Sequence, residues 1–277
     1  MRMRFFLILM MVAGSAGFAK AQFNIGDRAG WRLSMLQRAV GPLYRKPSNR
    51  ELKAVEPRRE LFDRYAALLR EPETGLTKLI ADRGCAENTK VLVVKEDCLK
   101  YSMPGAGSSF SFRIENYRIP RLADLTYTDN SFQATGVLLL GIFVNIGDVP
   151  LAEVSEKTRG LRYLSELVPP ADYEKSKKLD SDLSRGVIAD GFLYRRGLYM
   201  KENTTFVLRS VAFGGRYLRA TGGVTYNEFD FDKRRDVTVA FRVVEKDDAG
   251  DVVILWKKLR EKDSPKIKRS SDKKVNP

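Results

Sequence analysis

The chain has 277 residues, a net charge of +14 from 49 Lys and Arg against 35 Asp and Glu, and a hydrophobic fraction of 43%. That apolar fraction suits a folded chain with a core. There is no histidine and there are only two cysteines. This excludes Ser-His-Asp and Cys-His nucleophiles, His-ligated zinc or haem, and a four-cysteine metal site within one chain.

Residues 1–21 carry the pattern of a secretory leader. Arg2 and Arg4 precede the unbroken apolar run Phe5 to Ala13, and Ala19-Lys20-Ala21 forms a small-x-small cleavage pattern before Gln22. That run is too short to span a bilayer as a helix, and so is Val137 to Val144. No transmembrane helix is expected once the leader is gone. Its loss removes Arg2, Arg4 and Lys20 but no acid, which leaves a net charge of +11. Export to the periplasm or the exterior predicts that Cys85 and Cys98, with twelve residues between them, form one disulfide. Closing so short a loop stabilises by about 3 kcal/mol in the chain-entropy model.

Residues 22–56 read as an N-terminal arm or linker. Within it, Trp31 to Val40 has the pattern of a short amphipathic helix, followed by Gly41-Pro42 and a basic stretch from Arg45 to Arg59. A longer helix is predicted from Pro57 to Arg70. Its apolar members Leu61, Phe62, Tyr65, Leu68 and Leu69 share one face, and Pro72 and Gly75 end it. Ser109 to Ile119 then alternates with period two, Leu122 to Thr128 is a second strand, and Val137 to Asn145 reads as a strand covered on both faces. Leu161, Leu164 and Leu167 mark a short helical face, and Ala171 to Ser184 a helix closed by Gly186. Thr204 to Phe213 is a strand. Asp236 to Glu245 and Val252 to Leu259 form an antiparallel hairpin across the turn Asp247-Asp248-Ala249-Gly250-Asp251. Residues 57–260 thus predict a single α+β domain with a mainly antiparallel, sandwich- or barrel-like sheet and helices at the N-terminus and mid-chain. Residues 261–277 predict a disordered basic tail.

Three features bear on function. The first is Asn227-Glu228-Phe229-Asp230-Phe231-Asp232. As a strand it would direct Glu228, Asp230 and Asp232 to one face, a pattern open to a general acid and base or to an oxygen-ligated cation. A solvated acidic face is the plainer account, because surface carboxylates far outnumber catalytic ones. The second is the basic and aromatic stretch from Phe192 to Lys201, which with Arg216, Tyr217 and Arg219 could meet an anionic polymer through Arg195, Arg196, Arg216 and Arg219. Alternation in a strand explains the same pattern, and no nucleic-acid motif surrounds it. The third is the tail, with six Lys and Arg against three acids. The glycine-rich loop Met103 to Ser109 lacks the lysine of a P-loop and reads as a turn. Asn203-Thr204-Thr205 is a glycosylation sequon. No metal site or cofactor is expected. The expectation is an exported, non-enzymatic protein whose basic surface binds an anionic envelope partner. A carboxylate-dependent hydrolase of the glycosidase type and a structural envelope component are the alternatives.

Overall fold

A computed structural model of the chain describes residues 25–82 and 103–268. The segment expected to be a leader, both cysteines with their expected disulfide, and residues 269–277 lie outside the described residues.

The N-terminal part forms helices α1 (Ile25–Tyr44), α2 (Asn49–Ala54), α3 (Arg59–Arg64) and α4 (Ala66–Leu69), then strand β1 (Thr74–Leu79). Next come β2 (Ser109–Ser111), β3 (Asn116–Tyr117), β4 (Leu125–Thr128), β5 (Ser131–Gln133) and the long β6 (Leu139–Gly147). Helices α5 (Arg162–Glu166) and α6 (Tyr173–Arg185) precede β7 (Val187–Ala189), β8 (Phe192–Arg195), β9 (Gly197–Tyr199) and β10 (Thr205–Ala212). A ribbon of β11 (Leu218–Thr221) and β12 (Val224–Asn227) follows, then the hairpin of β13 (Arg235–Lys246) and β14 (Val252–Asp263).

These strands make an α+β fold with three antiparallel sheets. The seven-stranded sheet has the order β1-β14-β13-β10-β6-β8-β7, the five-stranded sheet β3-β2-β4-β5-β9, and the ribbon pairs β11 with β12. The expected hairpin is present as β13 and β14, with Phe241 opposite Trp256. The predicted inward row Val237, Val239, Phe241 and Val243 is fully buried. It meets Phe110, Phe112, Leu125, Tyr127 and Phe132 of the smaller sheet in one core. The other face of the large sheet is covered by Leu68 of α4, Leu164 of α5 and Leu183 of α6. Because β13 and β10 are covered on both sides, polar groups lie in the interior there. Arg209 of β10 pairs with Asp236 at 2.6 Å and donates to the Leu164 and Leu167 carbonyls at the end of α5.

Several expectations change in the fold. The amphipathic helix expected over Trp31 to Val40 lies within the longer α1, and α2 follows it after residues 45–48. Pro42 lies inside α1, and the helix continues to Tyr44, because its missing donor falls four residues after Arg38, which faces solvent. The single helix from Pro57 to Arg70 is two helices broken at Tyr65 (φ −105°, ψ 16°). Gly75 does not stop a helix. It sits in β1 under Trp256, where a Cβ would lie 2.4 Å from the indole ring. The strand expected over Ser109 to Ile119 is the two short strands β2 and β3, joined by a turn. Residues 261–268, expected within a disordered tail, are ordered. β14 runs to Asp263, Ile267 enters the core beneath the helices, and Lys268 bonds with the backbone of Ala171 and Tyr173. One buried isoleucine with strand-like bridges on both sides suffices to hold this segment down.

Candidate functional site

The acidic motif does not form a strand. Residues Glu228–Phe231 make one turn of 3-10 helix, with Asn227 capping it by accepting from Phe229 N. Three carboxylates that strand geometry would align are thereby sent to different partners. Glu228 is buried and receives Tyr44 Oη at 2.8 Å, Arg121 Nη2 at 2.8 Å and Arg219 Nη1 at 3.2 Å. The Asp232 carboxylate meets Arg113 at 2.5 Å and Arg234 at 2.9 Å. Asp230 is exposed and accepts from Asn227 Nδ2 at 2.6 Å. The expectation of three carboxylates on one strand face is therefore corrected. Among the described residues no cluster of three or more acids and cysteines could hold a metal ion.

Glu228 instead works as a latch for the N-terminal helix. α1 docks through Val40 and Tyr44 against Ile119, Leu122 and Tyr226, and Tyr44 Oη also contacts Tyr226 Oη at 2.8 Å. Burial alone would raise the Glu228 pKa, but hydrogen bonds from Arg121, Tyr44 and Arg219 outweigh it and hold the carboxylate below its usual range. Glu51 closes the next helix. Ser48 and Glu51 form a reciprocal capping box, and Arg45 reaches Glu51 at 2.6 Å. Burial again raises, yet Arg45 and Ser48 hold Glu51 down to about 2. Both carboxylates bind protons more weakly folded than unfolded. Their stabilisation is complete above about pH 4.5, the ordinary glutamate value, and is lost as pH falls below it, for Glu51 down to about 2. Amide exchange over residues 36–55 is therefore expected to accelerate in that window before β13 and β14 respond. Simultaneous loss of protection in both regions would contradict the latch.

The basic candidates separate into two places. Arg219 lies on the β11–β12 ribbon and is engaged with Glu228, while Arg216 beside it is exposed. Arg195 and Arg196 lie where the chain crosses from one sheet to the other. β8 pairs with β6 in the large sheet, β9 pairs with β5 in the small one, and Arg196 is the residue between them. Where the two sheets part, an open groove of about 650 Å³ forms. Its floor is the outward face of the β5–β9 pair, Ser131 opposite Tyr199 and Gln133 opposite Gly197. Gly197 is required there, since a Cβ would stand 2.8 Å from the Phe132 carbonyl. Thr135, Ser184, Arg195 and Arg196 complete the polar wall, and Tyr199 is 79% exposed.

The two arginines differ in availability. Arg196 is held at 3.1 Å by Asp180 and also donates to the Ala134 carbonyl. Burial raises the Asp180 pKa, with Arg196 opposing. Arg195 makes one weak bond to the Arg185 carbonyl at 3.4 Å. Its Nε is buried without a hydrogen-bond partner among the described residues. With Arg196 answered by Asp180, the groove presents one further guanidinium, that of Arg195, beside the lining carboxylate of Asp129. Sequence reasoning singled out Arg195 and Arg196 but missed Ser131, Gln133 and Thr135. Alternating polar residues in β5 were the only signal, and any half-exposed strand carries it.

Among the described residues no helix is long and apolar enough to cross a membrane. No known protein family matches the chain, and no curated protein or solved structure is similar to it.

Proposed function

We propose that this is an exported, non-catalytic protein that binds an anionic polymer of the cell envelope in the groove between its two sheets. The observation that carries the reading is the groove itself, where Arg195 and Arg196 stand over a floor of Ser131, Gln133 and Tyr199. An exposed tyrosine offers a ring face for a sugar or similar flat unit, the neighbouring hydroxyl and amide groups offer hydrogen bonds, and the guanidinium groups match carboxylate or phosphate in a bidentate fork. The net charge of +11 that remains once the expected leader is lost favours encounter with such a polymer. A carboxylate-dependent hydrolase is less well supported, because Glu228 and Asp232 are each neutralised by arginine.

The test is retention on an anionic heparin-type resin under rising salt. The parent chain is expected to bind at low ionic strength. Replacing both Arg195 and Arg196 with Glu removes two charge-assisted contacts, for an expected loss of about 10- to 100-fold in affinity. The exposed Arg216→Glu is expected to change it little. Flow-through of the parent at low salt overturns anion binding. Equal retention of the parent and the double variant moves the site away from the groove.

A further inference from the structure

Behind the wall of the groove stands a carboxylate. Asp180 lies on α6 one turn before Ser184, which lines the groove, and its Oδ2 is 3.1 Å from Arg196 Nη1. Arg196 is its one ion-pair partner among the described residues. The second oxygen, Oδ1, is buried with no hydrogen-bond partner among the described residues. The Ser184 hydroxyl is spent on the Asp180 backbone carbonyl at 2.9 Å. A carboxylate with one oxygen buried and unsolvated is costly to keep charged. Burial accordingly raises the Asp180 pKa, and the Arg196 guanidinium opposes this without cancelling it.

Arg196 is fixed independently of this pair. Its backbone N–H donates to the Leu183 carbonyl at 3.2 Å, its carbonyl accepts from Ala134 N at 3.2 Å, and its Nε donates to the Ala134 carbonyl at 3.4 Å. The side chain is 44% exposed and lines the groove. Neutralising Asp180 therefore leaves the guanidinium at the groove wall with Nη1 free of its counter-charge. The titratable neighbours of Asp180 are committed elsewhere or stand in solvent. α6 packs on β6, which carries no charged residue, and on β8. On β8, Tyr194 spends its hydroxyl on the Gly160 carbonyl, and Arg195 reaches the Arg185 carbonyl at 3.4 Å. Tyr163, packed on Tyr194, feels the charge of Asp182. On α6 itself, Asp182 is taken by Lys178 and Arg185, and Lys177 is exposed. Asp129 lines the groove and is exposed.

We propose that Asp180 is a proton-operated gate on the groove: ionised, it withholds Arg196 from an anionic ligand, and protonated, it releases that guanidinium, so binding tightens as pH falls. The gate presupposes that the groove is the anion site. With both acids ionised, Asp180 and Asp129 cancel Arg195 and Arg196, and a proton on Asp180 leaves the groove with one net positive charge. The release comes above the usual aspartate range, since burial disfavours the charged form. The coupling is reciprocal, so a bound anion in turn favours the proton on Asp180.

The experiment measures the affinity of the full chain for a dextran sulfate oligomer, whose sulfate esters stay ionised throughout, from about pH 8 down to about pH 4.5 at low ionic strength. Asp180→Asn keeps the shape and removes the charge. It is expected to bind about three- to tenfold more tightly than the parent near the top of that range. The advantage should shrink towards parity as pH falls, because the parent gains the proton that the variant does not need. The same closing difference is expected when both chains also carry Asp129→Asn, which removes the other groove carboxylate. Circular dichroism of Asp180→Asn should match the parent, since the pair it breaks is partly exposed. Equal affinity of Asp180→Asn and the parent near pH 8 overturns the gate and leaves the groove standing. An advantage that stays constant across the range overturns it too. Absence of binding by every chain at every pH overturns the groove itself as an anion site, and the gate with it.

Discussion

Replacing Asp124 with alanine is expected to destabilise the protein by about 4 kcal/mol, because it strands a buried guanidinium. Asp124 is fully buried between the two sheets. It accepts from Ser111 Oγ at 3.0 Å, from Arg113 N at 3.2 Å and from Arg113 Nε at 2.8 Å, and it also receives the Ser210 hydroxyl. Ser111 belongs to the small sheet and Ser210 to the large one, so one carboxylate ties the sheets together. Arg113 is as deeply buried, and its remaining donors go to Asp232, the Lys233 carbonyl and the Leu122 carbonyl. Removing Asp124 leaves that cation with one fewer counter-charge in a medium where it cannot find water. For a chain of this size the melting temperature should fall by about 8–16 °C. Asp248→Ala, in the exposed β13–β14 turn, is expected to shift it hardly at all. Equal melting of Asp124→Ala and the parent would refute the clamp.

The second large effect is expected at Phe241. Its ring lies 5.0 Å from Phe132, 5.5 Å from Phe206, and 6.4 Å from both Phe112 and Phe143. These residues come from both sheets, so the ring is the hub on which the two faces meet. Phe241→Ala removes the buried area and leaves a cavity that surrounding rigid strands cannot close, a loss of about 3–5 kcal/mol. Phe62→Ala, at a ring 36% exposed on α3, should cost about 1 kcal/mol or less. Chemical denaturation with a common m-value is the measurement. A Phe241→Ala variant no weaker than Phe62→Ala would show that the sheets are joined elsewhere.

Local signals were sufficient where one periodicity dominated. The row Val237, Val239, Phe241 and Val243 named its own face, and the Asp-Asp-Ala-Gly-Asp turn named the hairpin. The helix ending at Gly186 was legible too, since φ of 107° there suits glycine. The short strands β2, β3, β4, β5 and β9 were harder to bound. Two to four residues carry too little alternation to fix a register, and their pairing is set by the sheet they join. The acidic motif shows the limit most clearly. Glu-Phe-Asp-Phe-Asp alternates as a strand would, yet it coils because the buried carboxylates of Glu228 and Asp232 gain arginine partners, Arg121 and Arg113, far away in the chain.

Composition alone excluded histidine chemistry, and pattern alone predicted an antiparallel α+β fold with its C-terminal hairpin, because spacing of apolar residues is a property of neighbours in the chain. Which charges are spent inside the molecule and which remain at its surface was decided only on folding. Arg219 and Arg195 look alike as sequence, but Glu228 lies within reach of the first, while Arg195 opens into a groove. That distinction depends on groups brought together from distant segments, whose interaction strength is set by burial and distance.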